Sequence, residues 1–267
     1  MEMYVTKASG EKEEFDVEKV RRTCLRAGAS KQLADKIAKE VEAKAYDGIT
    51  TRKILHLALK LLEEEPEAAM RYGLKRAIMA LGPAGFPFEE FMAEVLQNYG
   101  YETKVGEIIK GKCVPHEIDI TAEKEGVHYL VECKYHNAPG ILTDLKVMMY
   151  TYARLLDLGK KFNQAWLICN TKCTSEARQF ARCVGVKVTS WRYPKGGSLE
   201  EMVETKRLYP ITILRSVTGP IRERLFQAKV MLARNLLDHE LEDLQRTTGL
   251  SKSVLNMLRE EAGKIIQ

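Results

Sequence analysis

A chain of 267 residues has room for two domains and an appendage, and an apolar content of 45% is enough to build their cores. A net charge of +5 is too small for bulk attraction to a polyanion, so any nucleic-acid contact must come from local arrangement. No apolar stretch reaches the length of a membrane span, the charged start over residues 1–14 is not a signal peptide, and six cysteines without a secreted spacing fit a reducing compartment, so a cytoplasmic location is expected.

The first run is Val5-Thr6-Lys7-Ala8-Ser9-Gly10, followed by Phe15-Asp16-Val17-Glu18-Lys19-Val20. It predicts a short strand, a Gly turn, a second short strand, and a helix with Asp16 as N-cap. A helix start with lysines beside it is a site for an anion. The spacing V-x-K-x-x-G-x-x-x-x-F-D-x-x-K-V resembles the opening of an ATP-cone, the nucleotide-sensing module of ribonucleotide reductases. The resemblance implies binding of ATP or dATP, with Lys7 and Lys19 on the phosphates, Gly10 in the turn and Val5 lining the base pocket. A helix is expected over about Leu33 to Tyr46. Another follows Ile49-Thr50-Thr51, with a Thr as its cap and Thr51 among the implied nucleotide ligands. The stretch Glu67 to Leu81 ends the module and carries Arg71-Tyr72 and Lys75-Arg76, which match the family's closing Tyr/Arg segment and add Tyr72 and Arg76 to the implied ligands. Ala8 stands where the family often has Arg or Lys, and Lys75 where it has a Tyr. No Walker sequence is present, so binding without hydrolysis is expected.

Gly82-Pro83-Ala84-Gly85 is the expected hinge. Beyond it, Phe88, Phe91, Met92, Val95 and Leu96 recur at helical spacing. Glu89 borders that stripe and can point inward, while Glu90 falls with Ala93, Glu94 and Gln97 on the wet side. Next come two short apolar runs, His116-Glu117-Ile118-Asp119-Ile120 and Val131-Glu132-Cys133-Lys134, around the polar turn Glu123-Lys124-Glu125-Gly126. They read as a β-hairpin in which Glu132 and Lys134 share a face, Asp119 opposes the apolar pair Ile118 and Ile120, and closure can bring Asp119 next to Glu132 and Lys134. Two carboxylates and a lysine in one place suit a hard divalent cation, Mg²⁺ or Mn²⁺, and hydrolysis at phosphate.

A carboxylate followed by Glu-x-Lys on the next strand resembles the PD-(D/E)xK nucleases, and most closely their Mrr-like restriction-endonuclease branch. That resemblance implies catalysis by Glu89, Asp119, Glu132 and Lys134, with Asp119, Glu132 and Glu89 around the metal and Glu90 as second choice for the helix carboxylate. It extends through Gln164 to Thr171, read as a core strand, a helix from Thr174 to about Cys183, and a last strand over Val186 to Trp191. Many Mrr-like proteins carry Gln-x-Lys where this chain has Glu132-x-Lys134. Cys113-x-x-His116 and Cys169-x-x-x-Cys173 have zinc-like spacing, but Cys133 and Cys169 fall in expected core strands, where Cys acts as a small hydrophobe. Lys134, His136, Lys146 and Arg154 are candidate DNA contacts. Leu142 to Leu158 is expected to form one helix whose Met148, Met149, Tyr150 and Tyr152 are mostly core or interface.

The tail is expected to begin with one amphipathic helix over Pro220 to about Leu237. The run Leu241 to Leu255 then resembles a helix-turn-helix, with Gly249 at C′ and Ser251 as the next N-cap. A helical hairpin packed on the nuclease, or on a second copy, is the other reading.

The expected architecture is α/β (α+β overall): a mostly helical ATP-cone at 1–83, a restriction-endonuclease-like core with a mixed central sheet at 84–197, and a connector with a helical tail at 198–267. The expected function is metal-dependent cleavage of double-stranded DNA by a nucleotide-regulated endonuclease. A homodimer is expected because a duplex presents two strands. The alternatives are a non-catalytic, nucleotide-sensing DNA-binding regulator, and a structure-specific repair or RNA-processing nuclease.

Overall fold

The structure is a computed structural model describing residues 3–82 and 85–266; Pro83 and Ala84, the middle of the expected hinge, lie outside the described residues. The amino-terminal unit opens with β1 (Tyr4–Thr6) and β2 (Lys12–Glu14), continues through α1 (Val17–Arg26), α2 (Lys31–Lys44), β3 (Ile49–Thr50) and α3 (Thr51–Leu61), and closes with α4 (Pro66–Tyr72) and α5 (Leu74–Met79). Strand β1 is central, antiparallel to β2 and parallel to β3. Side-chain caps fix the helix starts: Asp16 accepts from the Glu18 N–H at 2.9 Å, Ser30 from Leu33 at 3.2 Å and Thr50 from Lys53 at 3.3 Å, each satisfying a donor that the first turn leaves open. Thr50 is thus the cap and Thr51 the first helical residue. The closing segment forms two helices that meet at Gly73, where a Cβ would stand 3.2 Å from the Met70 carbonyl.

The middle unit runs α6 (Phe86–Asn98), β4 (Glu102–Lys110), β5 (Pro115–Lys124), β6 (Val127–Lys134), β7 (Leu142–Thr143), α7 (Leu145–Leu158), β8 (Gln164–Cys169), β9 (Lys172–Cys173), α8 (Ser175–Val184) and β10 (Lys187–Thr189). Its sheet has the order β10-β8-β6-β5-β4. The first three strands are parallel and the last three antiparallel, so the sheet is mixed. Strand β8 is an almost unbroken apolar run because both its faces are covered. Trp166 and Ile168 join Phe88, Phe91, Met92 and Leu96 of α6 on one side, while Ala165 and Leu167 join Met148 and Ala177 of α7 and α8 on the other. Helix α7 starts at Leu145, after the two-residue strand β7, and Asp144 caps it. Met148 is buried, but Met149 and Tyr150 are exposed, so the expected apolar face of α7 is narrower than the sequence suggested.

The tail contains α9 (Leu199–Lys206), α10 (Gly219–Gln227), α11 (Asn235–Asp238), α12 (Leu241–Thr248) and α13 (Lys252–Ile266). The helix expected over Pro220 to Leu237 is two. Between them the chain is held extended by backbone bonds from Ile211 N–H to Met231 C=O and from Ala233 N–H to Tyr209 C=O, both 2.8 Å. Gly249 does stop α12, at φ +64, and the Ser251 hydroxyl accepts from the Val254 N–H at 3.3 Å. The inner face of α13, with Leu255, Leu258, Ala262 and Ile265, is buried in the same core as α6. That packing corrects one reading. Glu90 and Ala93 are not on a wet face: Glu90 is 9% exposed and Ala93 3%, and Glu90 meets Lys229 at 3.0 Å. A helix periodicity assigns the polar side to solvent; here the tail covers that side. No helix among the described residues is long and apolar enough to cross a membrane.

Candidate functional site

Strands β5 and β6 pair in register from Lys124↔Val127 to Ile120↔Val131 and then part. At the parting the Asp119 carboxylate takes over, accepting from the Cys133 N–H at 2.7 Å. Across the neighbouring strand Gly106 sits at φ +70, between the pairs Val105↔Ile120 and Glu107↔Ile118. Ile118 lies in the core under α7, whereas Ile120 lies in the core under α6, so the strand changes its buried face across Asp119. This irregularity leaves the Cys133 N–H facing a carboxylate instead of a strand carbonyl.

Electrostatics locate the other members. Burial raises the Asp119 carboxyl, opposed by the Cys133 N–H, Arg154 and Lys134. Burial, then the Asp119 charge, pushes Glu132 up to about 7, with Arg154 and Lys134 pulling the other way. Glu89, on the first turn of α6, is also pushed up to about 7, by burial and then by Asp119, Glu117, Glu132 and Glu90. Glu89, Asp119, Glu132 and Lys134 therefore share one neighbourhood. Among the described residues, however, no three or more His, Cys, Asp or Glu side chains converge closely enough to hold a metal ion.

Arg154 occupies part of the same neighbourhood. It was expected as a surface DNA contact, yet it is 5% exposed. Its guanidinium pairs with Glu132 and donates to the Glu117 carbonyl, its Nε has no partner among the described residues, and its Cζ lies 5.4 Å from the Tyr150 ring centre. Arg154 lies between Thr151 and Leu158 in the buried stripe of α7; a lone charge inside an apolar stripe was the signal that would have found it, because such a charge needs a partner. The donor set itself fits a hard divalent cation. Its oxygens are carboxylates, and their crowding is the kind of charge a divalent ion relieves. Glu132 would have to exchange Arg154 for the ion. The zinc spacings have other uses: His116 meets Asp157 at 2.8 Å, the Cys113 N–H donates to the same carboxylate at 2.7 Å, and Cys169 and Cys173 lie buried with their sulfurs 3.6 Å apart.

In the amino-terminal unit, Val5 is buried and Gly10 turns at φ +85. Lys7 and Lys19 both pair with Glu13, a residue the sequence reading passed over, and their hydrogen bonds pull its carboxyl down to about 2. Ile49, Thr50, Lys53, Tyr46, His56 and Arg76 line a cleft of about 720 Å³; Thr51 is exposed at its edge of α3, and Thr6 pairs with Thr50 in the sheet. Tyr72 stands apart, half-buried at the core with Arg26 and Arg192 near its hydroxyl, which burial pushes up.

Comparison with known proteins places these observations in a family. The ATP cone domain model matches residues 3–78, the restriction endonuclease model residues 83–194, and the model described as AF1548-like, C-terminal, residues 209–266. An uncharacterized protein of Archaeoglobus fulgidus is 44% identical over 176 residues, which are 66% of this chain and 99% of that one. A second uncharacterized protein of the same organism is 55% identical over 38 residues, 14% of this chain and 81% of its own length. The crystal structure of AF1548, a protein of unknown function, aligns with a TM-score of 0.62 at 41% identity, covering 68% of this chain and 98% of that one. With an ATP cone domain ahead of a restriction endonuclease domain and the characteristic carboxy-terminal segment behind it, the chain belongs to the family of AF1548-like proteins.

Proposed function

We propose that this protein is a metal-dependent DNA endonuclease whose activity responds to ATP or dATP bound by its cone. The observation that carries the reading is the gathering of Asp119, Glu132, Glu89 and Lys134 where β5 and β6 part, inside a region that matches a restriction endonuclease domain. Asp119 and Glu132 would hold Mg²⁺ or Mn²⁺, and Glu89 would complete the shell directly or through water. The bound ion would supply an acidified water and offset charge on the phosphoryl group. Lys134 would orient that water and steady the developing oxyanion. Arg154 holds the Glu132 carboxylate and would yield it on metal binding. Lys7, Lys19 and Gly10 would cradle the nucleotide phosphates, with Val5, Thr51 and Arg76 shaping the rest of the site; Tyr72, set apart beside Arg192, would act on it only through the core. The working units are residues 1–83, 84–197 and 198–267, the substrate is double-stranded DNA in the cytoplasm, and the acting form is a homodimer, since each strand of a duplex needs its own site.

The hold of Arg154 on Glu132 favours one other reading, a nucleotide-sensing DNA-binding regulator without catalysis. The two separate on Asp119→Ala. If the protein is a nuclease, the variant binds DNA but no longer cuts it with Mg²⁺ or Mn²⁺. If it is a regulator, wild type and variant bind DNA alike and neither cuts. Comparing duplex, branched and single-stranded substrates then tests for a repair or RNA-processing role.

A further inference from the structure

The loop that follows the Glu132-x-Lys134 strand ends against the turn proposed to hold the nucleotide. Gly140 has φ +91, and a Cβ there would stand 2.4 Å from the Ala8 carbonyl oxygen, 2.5 Å from its carbon and 2.8 Å from the Ser9 nitrogen. Only glycine fits both that backbone angle and that approach. Ala8 and Ser9 are the tip of the turn that Lys7 opens and Gly10 closes, with Gly10 N–H on the Lys7 carbonyl at 3.0 Å and Lys7 N–H on the Glu11 carbonyl at 2.8 Å.

The same loop joins both halves of the candidate active site. On one side it leaves β6 directly after Lys134; on the other it enters β7 and α7, which carries Arg154. Its first residues are gripped as well. The Tyr135 hydroxyl donates to the Met79 carbonyl at the end of α5 at 2.5 Å, and the His136 backbone exchanges two bonds of 2.8 Å with the Asn170 side chain. Thr143 is fixed by the Thr174 N–H at 3.0 Å and by the His136 ring at 3.0 Å. Residues 137–141 thus form a short span between two anchored ends, and the cone turn presses on its crest.

We infer that the span 137–141 is the relay between nucleotide and nuclease sites: occupation of Lys7 and Lys19 by a polyphosphate alters the seat of Ala8 on Gly140, and with it the setting of Glu132, Lys134 and Arg154. The inference rests on the reading of Lys7 and Lys19 as phosphate ligands. It has a physical trigger in Glu13, which now holds both ammonium groups. A phosphate must take them over, which frees Glu13 on β2 and loosens the turn that Lys7 begins. Coupling of this kind is reciprocal, so a divalent ion bound by Asp119 and Glu132 changes nucleotide affinity by the same factor.

The test is hydrogen exchange on the full chain, with and without ATP, alongside calorimetric ATP titration. The variants are Gly140→Ala and, as one that keeps the glycine and the Tyr135 ring, Tyr135→Phe. In wild type, ATP changes the exchange rates of the amides at 137, 138 and 140–143 by about fivefold or more. In the variants ATP still binds, while that response shrinks or disappears. The inference is overturned if ATP binds wild type and those amides exchange at unchanged rates, or if Gly140→Ala and Tyr135→Phe leave the response intact. An exchange response in a protein that cuts no nucleic acid would uphold the relay and defeat the nuclease reading. Failure to bind ATP would defeat the nucleotide reading and the relay together.

Discussion

The charged form of Glu89 costs stability where it sits, and the cost is measurable. Its carboxyl rises from an ordinary 4.5 to about 7, through burial and the charges of Asp119, Glu117, Glu132 and Glu90. Across pH 4.5 to 7 the folded chain keeps a proton that the unfolded chain has lost, so the stability associated with Glu89 is fully present below that window and declines as pH rises through it. At about 1.4 kcal/mol per pH unit the displacement corresponds to at most about 3.5 kcal/mol. Partial access to water reduces that to about 1–2 kcal/mol. Glu89→Gln keeps the shape and removes the charge. In chelator at about pH 8 it should therefore be more stable than wild type by about 1–2 kcal/mol, with the gain gone at about pH 4.5. Urea denaturation across that range measures it. Added Mg²⁺ should stabilise wild type more than the variant, because only wild type offers the third carboxylate. A variant no more stable than wild type at the upper pH, or one whose gain is the same at every pH, would refute the placement of Glu89 among the other acids.

Three other substitutions probe other parts of the account. Arg154→Met leaves Glu132 buried without its partner, so neutral-pH stability in chelator should fall by about 3–5 kcal/mol, and adding Glu132→Gln should recover part of the loss in a double-mutant cycle. If Lys19 meets phosphate as proposed, Lys19→Ala should weaken ATP binding by about tenfold or more in a calorimetric titration. Phe91→Ala empties a fully buried site between α6 and the sheet and should cost about 3–5 kcal/mol in chemical denaturation.

The sequence revealed most where local chemistry decides structure. The Asp16 cap, the Gly10 turn, the β5–β6 hairpin, the Thr174 cap of α8 and the Gly249 stop of α12 all follow from residue type at a fixed place. The approach of Asp119 to Glu132 follows from hairpin register. It was less informative where distant chain decides. Glu90 reads as solvated until the tail is laid over it, and a helix over Pro220 to Leu237 is reasonable until backbone bonds from Tyr209 and Ile211 pull its middle straight. The stripe of α7 marks Arg154 as a charge in need of a partner, but nothing local says that the partner is Glu132, 22 residues away. Tyr72 was grouped with the phosphate lysines by motif, yet the fold places it beside Arg192.

The central claim is most directly tested by incubating supercoiled plasmid with the full chain and Mg²⁺ or Mn²⁺, with and without ATP or dATP, beside Asp119→Ala and Lys134→Ala. Wild type should nick or linearise the plasmid only with metal, at a rate that changes on adding nucleotide, and both variants should fail to cut. Intact plasmid under every condition, from a folded protein that still binds DNA, would contradict the claim.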